Sequence, residues 1–156
     1  MAEVRIRTAG ADDIPGLVAS SAALFAEDAG TRDPTMNVDW PHQHGHLRFT
    51  ETLSDPERLI LVADAAGEVV GHLTGVLSGG TAYRPVTVAT LASLYVRPAY
   101  RSGGVGADLV RRFRAWARDL GADRVAVAAY ATNSGALRFY QREGFVPHTV
   151  TLETTP

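Results

Sequence analysis

The sequence predicts a single α/β domain over residues 1–156, with a mixed central sheet and helices on both faces. With 156 residues, of which 46% are hydrophobic, the chain can bury one globular core. Along the chain, segments in which apolar and polar residues alternate are followed by segments of helical periodicity, and this order is typical of α/β folds. The stretch Val86 to Tyr130 has a strand–helix–strand pattern. Such crossovers normally join parallel strands, so we expect a parallel pair inside the sheet.

The first elements follow from short local patterns. Val4–Thr8 alternates apolar and polar residues and predicts a strand. Asp12 is a good N-cap for the helix that follows, whose apolar residues keep helical spacing until about Gly30. The stretch Thr31 to Pro56 is the least regular, with a possible short helix around Leu47 to Leu53. We expect this stretch to be a variable loop over a site.

Strand patterns dominate the middle of the chain. Arg58–Asp64 and Glu68–Leu77 predict two strands of a hairpin, with a tight turn at residues 65–67. Val86–Val96 predicts a long strand that Pro98 stops. A helix is predicted after Gly104, with a buried stripe made of Leu109, Phe113, Trp116 and Leu120. After it the sequence predicts a strand at Arg124–Tyr130, a helix from Asn133 or Ser134 to Glu143, and a last strand at Phe145–Glu153.

Composition excludes several kinds of chemistry. The chain has no cysteine, which rules out disulfides, thiolate catalysis and Cys-ligated metals. All basic residues are arginine, so there is no lysine for a Schiff base or a P-loop. The net charge of −2 gives no case for nucleic-acid binding. No apolar run has the length of a membrane span and the N-terminus lacks a signal-peptide core, so we expect a cytoplasmic protein without a membrane partner.

Charge is unevenly divided along the chain. Residues 1–78 carry 5 arginines and 12 acidic residues, a balance of −7, whereas residues 79–156 carry 10 arginines and 5 acidic residues, a balance of +5. A basic half suits an anionic ligand and an acidic half suits a cationic one. Alternatively, the two halves interleave in one fold and the asymmetry averages out.

The most informative stretch joins a strand to a helix. After Leu94-Tyr95-Val96-Arg97-Pro98 comes the pattern R-x-x-G-x-G, with Arg101, Gly104 and Gly106, and then the helix. The first amides of a helix lack internal partners and carry partial positive charge, and glycines let an anion approach the backbone. Residues 101–107 therefore predict a cradle for a phosphate or pyrophosphate. Neither the P-loop pattern nor the dinucleotide pattern fits this stretch.

Two motifs together carry a family resemblance. The pattern R-x-x-G-x-G after L-Y-V-R-P resembles the acetyl-CoA signature of the GNAT superfamily of N-acetyltransferases. Asn133 to Phe145 resembles that family's second motif, N-x-x-A-x-x-x-Y-x-x-x-G-F. The order of the predicted elements is also similar, so the resemblance covers nearly the whole chain.

The resemblance implies a site for acetyl-CoA between two parallel strands that splay apart around the R-x-x-G-x-G loop. It implies that the strand at Leu94, Tyr95 and Val96 binds the pantetheine arm through its backbone. The implied pyrophosphate ligands are the amides of Ser102, Gly103, Gly104, Val105, Gly106 and Ala107, with Arg101 adding charge. Asn133 would lie near the cofactor, serve only as a helix N-cap, or do both. Tyr140 would direct its hydroxyl at the thioester sulfur as general acid, or else be a core aromatic.

The general base and the acceptor site are less defined. Many family members place an acid just before L-Y-V, but residues 90–93 here contain no carboxylate. The base could be water or one of seven candidates: Glu27, Asp28, Asp39, His42, His44, His46 and His72. The histidines of the H-Q-H-G-H segment fit surface residues, an acceptor-site role or metal binding, since alternate spacing would place all three on one side of an extended segment. We predict no metal site. The acceptor site would draw on residues 26–56 and 78–85. Their acidic residues and Trp40 suit a cationic amine, or are simply a solvated acidic loop.

The prediction is an N-acetyltransferase that moves acetyl from acetyl-CoA directly to a primary amine of a small molecule or peptide. The missing carboxylate leaves an alternative, a non-catalytic acyl-CoA sensor or interaction module of the same fold. A nucleotide-binding regulator is a third class. No nucleic-acid partner is expected, and a homodimer through an exposed sheet edge is implied only by the family.

Overall fold

A five-stranded sheet organises the computed structural model, which describes residues 2–156. Its strands lie in chain order: β1 (Val4–Thr8), β2 (Arg58–Ala65), β3 (Glu68–Ser78), β4 (Val88–Val96) and β5 (Arg124–Val127). The first four pair antiparallel, and β4 pairs parallel with β5. The predicted mixed sheet with one parallel pair is therefore confirmed.

Helices cover both faces of the sheet, as predicted. They are α1 (Ile14–Glu27), α2 (Ala29–Arg32), α3 (Trp40–Thr52), α4 (Val105–Asp119) and α5 (Ser134–Arg142). Alternation along β2 sets the two layers, because Leu59 and Leu61 join the core under α4, whereas Ile60 and Val62 join the core under α1 and α3. Of the helices in residues 2–156, none has the length and apolarity that crossing a bilayer requires.

The stretch between α2 and β2 is more regular than predicted. A 13-residue helix, α3, replaces the expected loop with its short helix. Pro41 fits in the first helical turn, where its missing N–H costs nothing. Pro41, Gly45 and Phe49 recur every four residues and are buried, and Gly45 allows α3 to lie close to Val18 of α1. Tertiary packing therefore forms this helix, where its sequence alone shows little amphipathic pattern.

Two helix boundaries also differ from the predictions. Asp12 does not cap α1; Asp13 is its N-cap residue, and the Asp13 carboxylate accepts the Gly10 amide at 2.8 Å and the Arg7 guanidinium at 2.8 Å. Leu120 lies past the end of α4 and is 42% exposed, so it is not part of the buried stripe. Leu109 and Phe113 are fully buried, as expected.

The predicted last strand is wrong. Residues after Gly144 form no strand, and Val146, Val150 and Leu152 are 80%, 81% and 90% exposed. Their alternating pattern favours a strand, but a strand also needs a partner edge and a surface to cover. No paired strand lies beside β5 on its outer edge within residues 2–156. β5 itself ends at Val127 and not at Tyr130.

Candidate active site

A cleft opens where β4 and β5 stop pairing. Their parallel ladder joins Val88–Leu91 to Arg124–Val127 and goes no further. At the same point β4 has a bulge: Thr74 pairs with Ser93 but Gly75 pairs with Leu91, which leaves Ala92 as an extra residue. Bulges bend a strand and increase its twist, so the second half of β4 turns away from β5. The resulting cleft has a volume of about 760 Å³ and extends between β4, β5, α1 and α5.

The open edge of β4 presents backbone groups to this cleft. The Arg97 amide donates to the Val70 carbonyl of β3 at 2.8 Å, so Arg97 directs its backbone groups to that neighbour. Backbone groups alternate between the two sides of a strand, which directs those of Leu94 and Val96 to the opposite edge. That edge faces the cleft, and both residues line it. The predicted parallel strands that splay apart are therefore present. On the open edge of β4, Arg101 Nε donates to the Val96 carbonyl, and within residues 2–156 the other backbone groups of Leu94 and Val96 on this edge have no partner.

The R-x-x-G-x-G loop forms the end of the cleft at the start of α4. Gly104 is the N-cap residue with φ of 87°, a left-handed conformation that strongly favours glycine, and Ser102 has φ of 65°. Among residues 2–156, no acceptor takes a hydrogen bond from any amide of residues 102–107; the first bond of the helix runs from Asp108 to Gly104. A run of free amides at the positive end of a 15-residue helix can bind an anion.

Six residues of the predicted cradle differ in how they face the cleft. Ser102, Gly104, Gly106 and Ala107 line it, along with Arg101. Gly103 does not line the cleft, and the Val105 side chain is buried in the core under α4. At Gly106 an added Cβ would lie 3.3 Å from the Phe139 ring, so the loop packs closely on α5.

Arg101 is already engaged by other groups of the protein. Its two terminal nitrogens donate to both Glu27 oxygens at 2.7 Å, and its Nε donates to the Val96 carbonyl at 2.7 Å. The guanidinium also lies 5.4 Å from the centre of the Tyr95 ring. The hydrogen bond from Arg101 lowers the pKa of Glu27, so this carboxylate stays charged at neutral pH. The charge that the sequence assigned to an anion is therefore balanced by Glu27 in this structure.

Asn133 occupies the position of a helix cap and also reaches the cleft. Its side-chain oxygen accepts the Ala136 amide at 3.0 Å, which caps α5. Its Nδ2 donates to Asp28 at 3.1 Å, and Asp28 also accepts from Arg32 at 2.8 Å. The capping role is present, and the same residue lines the cleft beside an acidic side chain.

Tyr140 lies on α5 in an aromatic cluster at the cleft. Its ring contacts Phe139 and Phe145 edge-on, at centroid distances of 5.2 and 5.7 Å. Its hydroxyl has no hydrogen-bond partner within residues 2–156, and the residue lines the cleft. Burial, with the Asp28 charge as a second cause, raises the pKa of Tyr140 to about 12. The hydroxyl is therefore protonated at neutral pH and available as a donor.

The structure separates the seven candidate bases. Glu27 and Asp28 line the cleft, but both are bound by arginines. Asp39 and the three clustered histidines are exposed and do not line it. The histidines lie on α3, where alternate residues point in different directions, so the extended arrangement considered for a metal does not occur. Residues 2–156 contain no group of three or more metal-ligating side chains that could hold an ion.

His72 is the seventh candidate and lies in the interior. It is fully buried, and its two ring nitrogens contact Ser20 and Ser93. The sequence pattern identified His72 but not its partners, because Ser20 is 52 residues away in the chain. Ser93 lines the cleft and was not among the predicted site residues.

The predicted acceptor region is only partly present. Helices α1 and α2 contribute Leu24, Glu27, Asp28 and Arg32 to the cleft. Residues 78–85 do not line it, nor does Trp40, which stacks on Phe25 at 6.1 Å. The carboxylates on this side of the cleft are thus those of Glu27, at the end of α1, and of Asp28, the residue after it.

Comparison with known sequences finds a family and a relative that match much of this chain. Residues 26–145 match the profile of the Acetyltransferase (GNAT) family. An uncharacterized N-acetyltransferase of Mycobacterium tuberculosis is 40% identical over 98 residues, which span 63% of this chain and 59% of that protein. The match therefore spans less than two thirds of the length of that curated relative.

Solved structures share the fold. An aminoglycoside N-acetyltransferase AAC(6')-Iy in complex with CoA superposes with a TM-score of 0.79 at 16% identity, covering 100% of this chain and 96% of that one. A transcriptional regulator from Bacillus halodurans superposes with a TM-score of 0.76 at 23% identity, covering 98% and 99%. At these identities the likeness concerns the fold alone.

Proposed function

Since the chain belongs to the acetyltransferase (GNAT) family, we propose that it transfers an acetyl group from acetyl-CoA to a primary amine of a small molecule or peptide. The proposal takes residues 1–156 as one functional domain. The pairing of β1 with β2 supports this, because it ties the N-terminal strand into the same sheet as the cleft.

The observation that carries the proposal is the free backbone of the cleft. Six consecutive amides at residues 102–107 have no acceptor in the described part of the chain, residues 2–156, and the open edge of β4 continues from them. Unpaired backbone donors are costly unless water or a ligand satisfies them. A pyrophosphate fits the amides at the helix start, and an extended amide-containing arm fits the strand edge. These residues therefore suit CoA from its pyrophosphate to its pantetheine.

Acetyl-CoA would supply the activated acyl group as a thioester. Its pantetheine would lie along Leu94 and Val96, and a backbone N–H of this strand would donate to the carbonyl oxygen as negative charge develops there. No cysteine is present to form an acyl-enzyme. We therefore propose direct attack by the neutral amine, because an ammonium has no free lone pair. The proton that the nitrogen loses after attack would pass to water, since arginines pair with the cleft carboxylates Glu27 and Asp28.

Tyr140 would assist the departing sulfur. Its hydroxyl is protonated, has no partner within the described residues and lies at the cleft. A thiol has an ordinary pKa of about 8.5, well below the value of about 12 for Tyr140. Full proton transfer from Tyr140 to the thiolate is uphill, so Tyr140 would stabilise the departing sulfur as a hydrogen-bond donor and the thiolate would take its proton from water.

The acceptor would be a cationic compound with a primary amine. Glu27 and Asp28 place two carboxylates on the α1 side of the cleft, each paired with an arginine, and an ammonium group of the acceptor would compete with those arginines for them. Aminoglycoside acetyltransferases share the fold, and one of them was solved with sisomicin. Aminoglycosides and polyamines are accordingly the first compounds to test.

A matched pair of glycine variants tests the anion cradle. Gly104→Ala forces alanine into a left-handed conformation, at a cost of about 1–2 kcal/mol, whereas Gly103→Ala adds a methyl group in open space at an ordinary φ. We expect calorimetric titration to show Gly104→Ala binding CoA about tenfold more weakly, and Gly103→Ala binding it as wild type does. Equal affinities for all three proteins would argue against the cradle.

Transfer itself is tested by incubating acetyl-CoA with a panel of amines and following free thiol and acetylated product. CoA binding without product for any amine would favour the acyl-CoA sensor over the enzyme. No CoA binding at millimolar concentration would refute both.

A further inference from the structure

A buried chain of polar side chains leads from α1 to the cleft. Ser20 contacts His72 Nδ1 at 2.6 Å, His72 Nε2 contacts Ser93 Oγ at 3.2 Å, and Ser93 Oγ contacts Thr74 Oγ1 at 2.6 Å. His72 is 0% exposed and Ser20 is 8% exposed, whereas Ser93 lines the cleft. Among these hydrogen-bonded side chains, Ser93 is therefore the residue through which the buried His72 ring can affect a molecule bound in the cleft.

Ser93 retains one free hydrogen-bonding capacity. A serine hydroxyl offers one donor and two acceptor lone pairs. His72 and Thr74 occupy two of these three within the protein. When His72 donates through Nε2 and Ser93 donates to Thr74, the remaining capacity is a lone pair, which can accept an N–H from a molecule in the cleft.

The position of Ser93 on β4 places this lone pair beside the proposed acyl site. Ser93 lies between Ala92, the bulge residue, and Leu94, whose backbone faces the cleft. Its side chain is on the face that packs against α1, because it contacts His72 and Thr74 there. The same side of the cleft contains Glu27 and Asp28. The hydroxyl thus lies between the α1 side of the cleft and the strand that would hold the thioester.

We propose that Ser93 accepts a hydrogen bond from the neutral acceptor amine and orients its lone pair toward the thioester carbon, and that His72 is the positioning residue that fixes the Ser93 hydroxyl. This inference rests on the proposed acetyl transfer. No covalent bond forms at Ser93 and no proton leaves the amine to it; the contact orients the nucleophile before attack.

The surroundings of His72 suit a positioning role. Burial lowers its pKa to about 4, so the ring is neutral at pH 7 and has one donor and one acceptor nitrogen. A neutral ring can donate to Ser93 while it accepts from Ser20. It also adds no positive charge behind the site that would repel a cationic acceptor.

The first test separates amine orientation from CoA binding. Acetyl transfer is measured for Ser93→Ala and Ser93→Thr, with acetyl-CoA and whichever of spermidine, sisomicin or a glycyl dipeptide wild type acetylates fastest. Thr90→Ala is the matched control, because it removes a hydroxyl from the same strand outside the cleft. We expect Ser93→Ala to lower kcat/KM for the amine at least tenfold with an unchanged CoA Kd. Ser93→Thr should recover most of the loss, and Thr90→Ala should behave as wild type.

The second test asks whether His72 acts through Ser93. His72→Gln should lower kcat/KM for the amine, and adding it to Ser93→Ala should cause no further loss, because the group it positions is already absent. Losses that multiply in the double variant would refute the positioning role. Wild-type rates in Ser93→Ala would refute the whole inference while leaving acetyl transfer intact. CoA binding without transfer to any amine would refute the proposed function, and this inference with it.

Discussion

Replacing His72 by glutamine should flatten the dependence of stability on pH. In the folded protein burial lowers the pKa of His72 to about 4, whereas an unfolded histidine has a pKa of about 6.5. Between these values the unfolded chain binds a proton that the native ring does not, so the free energy of unfolding falls as the pH falls from 6.5 to 4. The difference of about 2.5 pKa units corresponds to about 3 kcal/mol at full burial.

Urea unfolding at a series of pH values between 7 and 4 measures this effect. We expect wild type to lose about 3 kcal/mol more than His72→Gln over the range. The carboxylates of Asp13 and Asp64, whose pKa values are lowered mainly by hydrogen bonds from Arg7, contribute to both curves and cancel in the difference. His46→Gln removes an exposed imidazole and controls for the loss of a histidine as such. Parallel curves for wild type and His72→Gln would show that the buried ring titrates normally, and the neutral ring assumed for the cleft would be wrong.

Three further substitutions test the cleft. Tyr140→Phe should lower kcat by roughly a hundredfold and leave the acetyl-CoA Kd unchanged, and an unchanged kcat would remove the hydroxyl from the mechanism. Glu27→Gln should release Arg101 and strengthen CoA binding by roughly fivefold in low salt, with a smaller gain in high salt; weaker binding would show that Glu27 instead holds Arg101 in place. Asn133→Ala should lower the free energy of unfolding by about 1 kcal/mol, because α5 loses its cap. Asn133→Ser keeps a capping oxygen and should unfold at a higher urea concentration than Asn133→Ala; equal unfolding midpoints for the two variants would contradict the capping role.

Local sequence patterns predicted those features that a few neighbouring residues determine. The hairpin between β2 and β3 follows from its turn, where Ala66 and Gly67 both have positive φ. The start of α4 follows from Gly104, whose left-handed backbone conformation favours glycine, and the start of α5 follows from Asn133, whose side chain accepts the Ala136 amide. Members of both motifs line one cleft, because the fold brings the ends of β4 and β5 and the starts of α4 and α5 together; they are Arg101, Gly104 and Gly106 of the first motif and Asn133, Ala136 and Tyr140 of the second.

Patterns failed where a segment depends on distant partners. α3 forms because Pro41, Gly45 and Phe49 pack on α1. The sequence pattern of α3 alone does not indicate that α1 lies beside it. Residues 145–153 alternate as a strand does, yet within residues 2–156 no partner strand lies beside them, and residues 146–153 are exposed. The same limit applies to the three clustered histidines, because their spacing did not show whether the segment is extended or, as the structure has it, helical.

The sequence by itself determined the class of fold, the glycine turn before α4 and the motif residues, because these depend on conformational preferences within one or two helical turns. Only the tertiary structure decided the electrostatics of the cleft. Arg101 meets Glu27 across 74 residues of chain, and His72 meets Ser20 across 52 and Ser93 across 21. Such contacts depend on how helices pack on the sheet, and hydrophobic periodicity records which face is buried but not which polar group lies opposite.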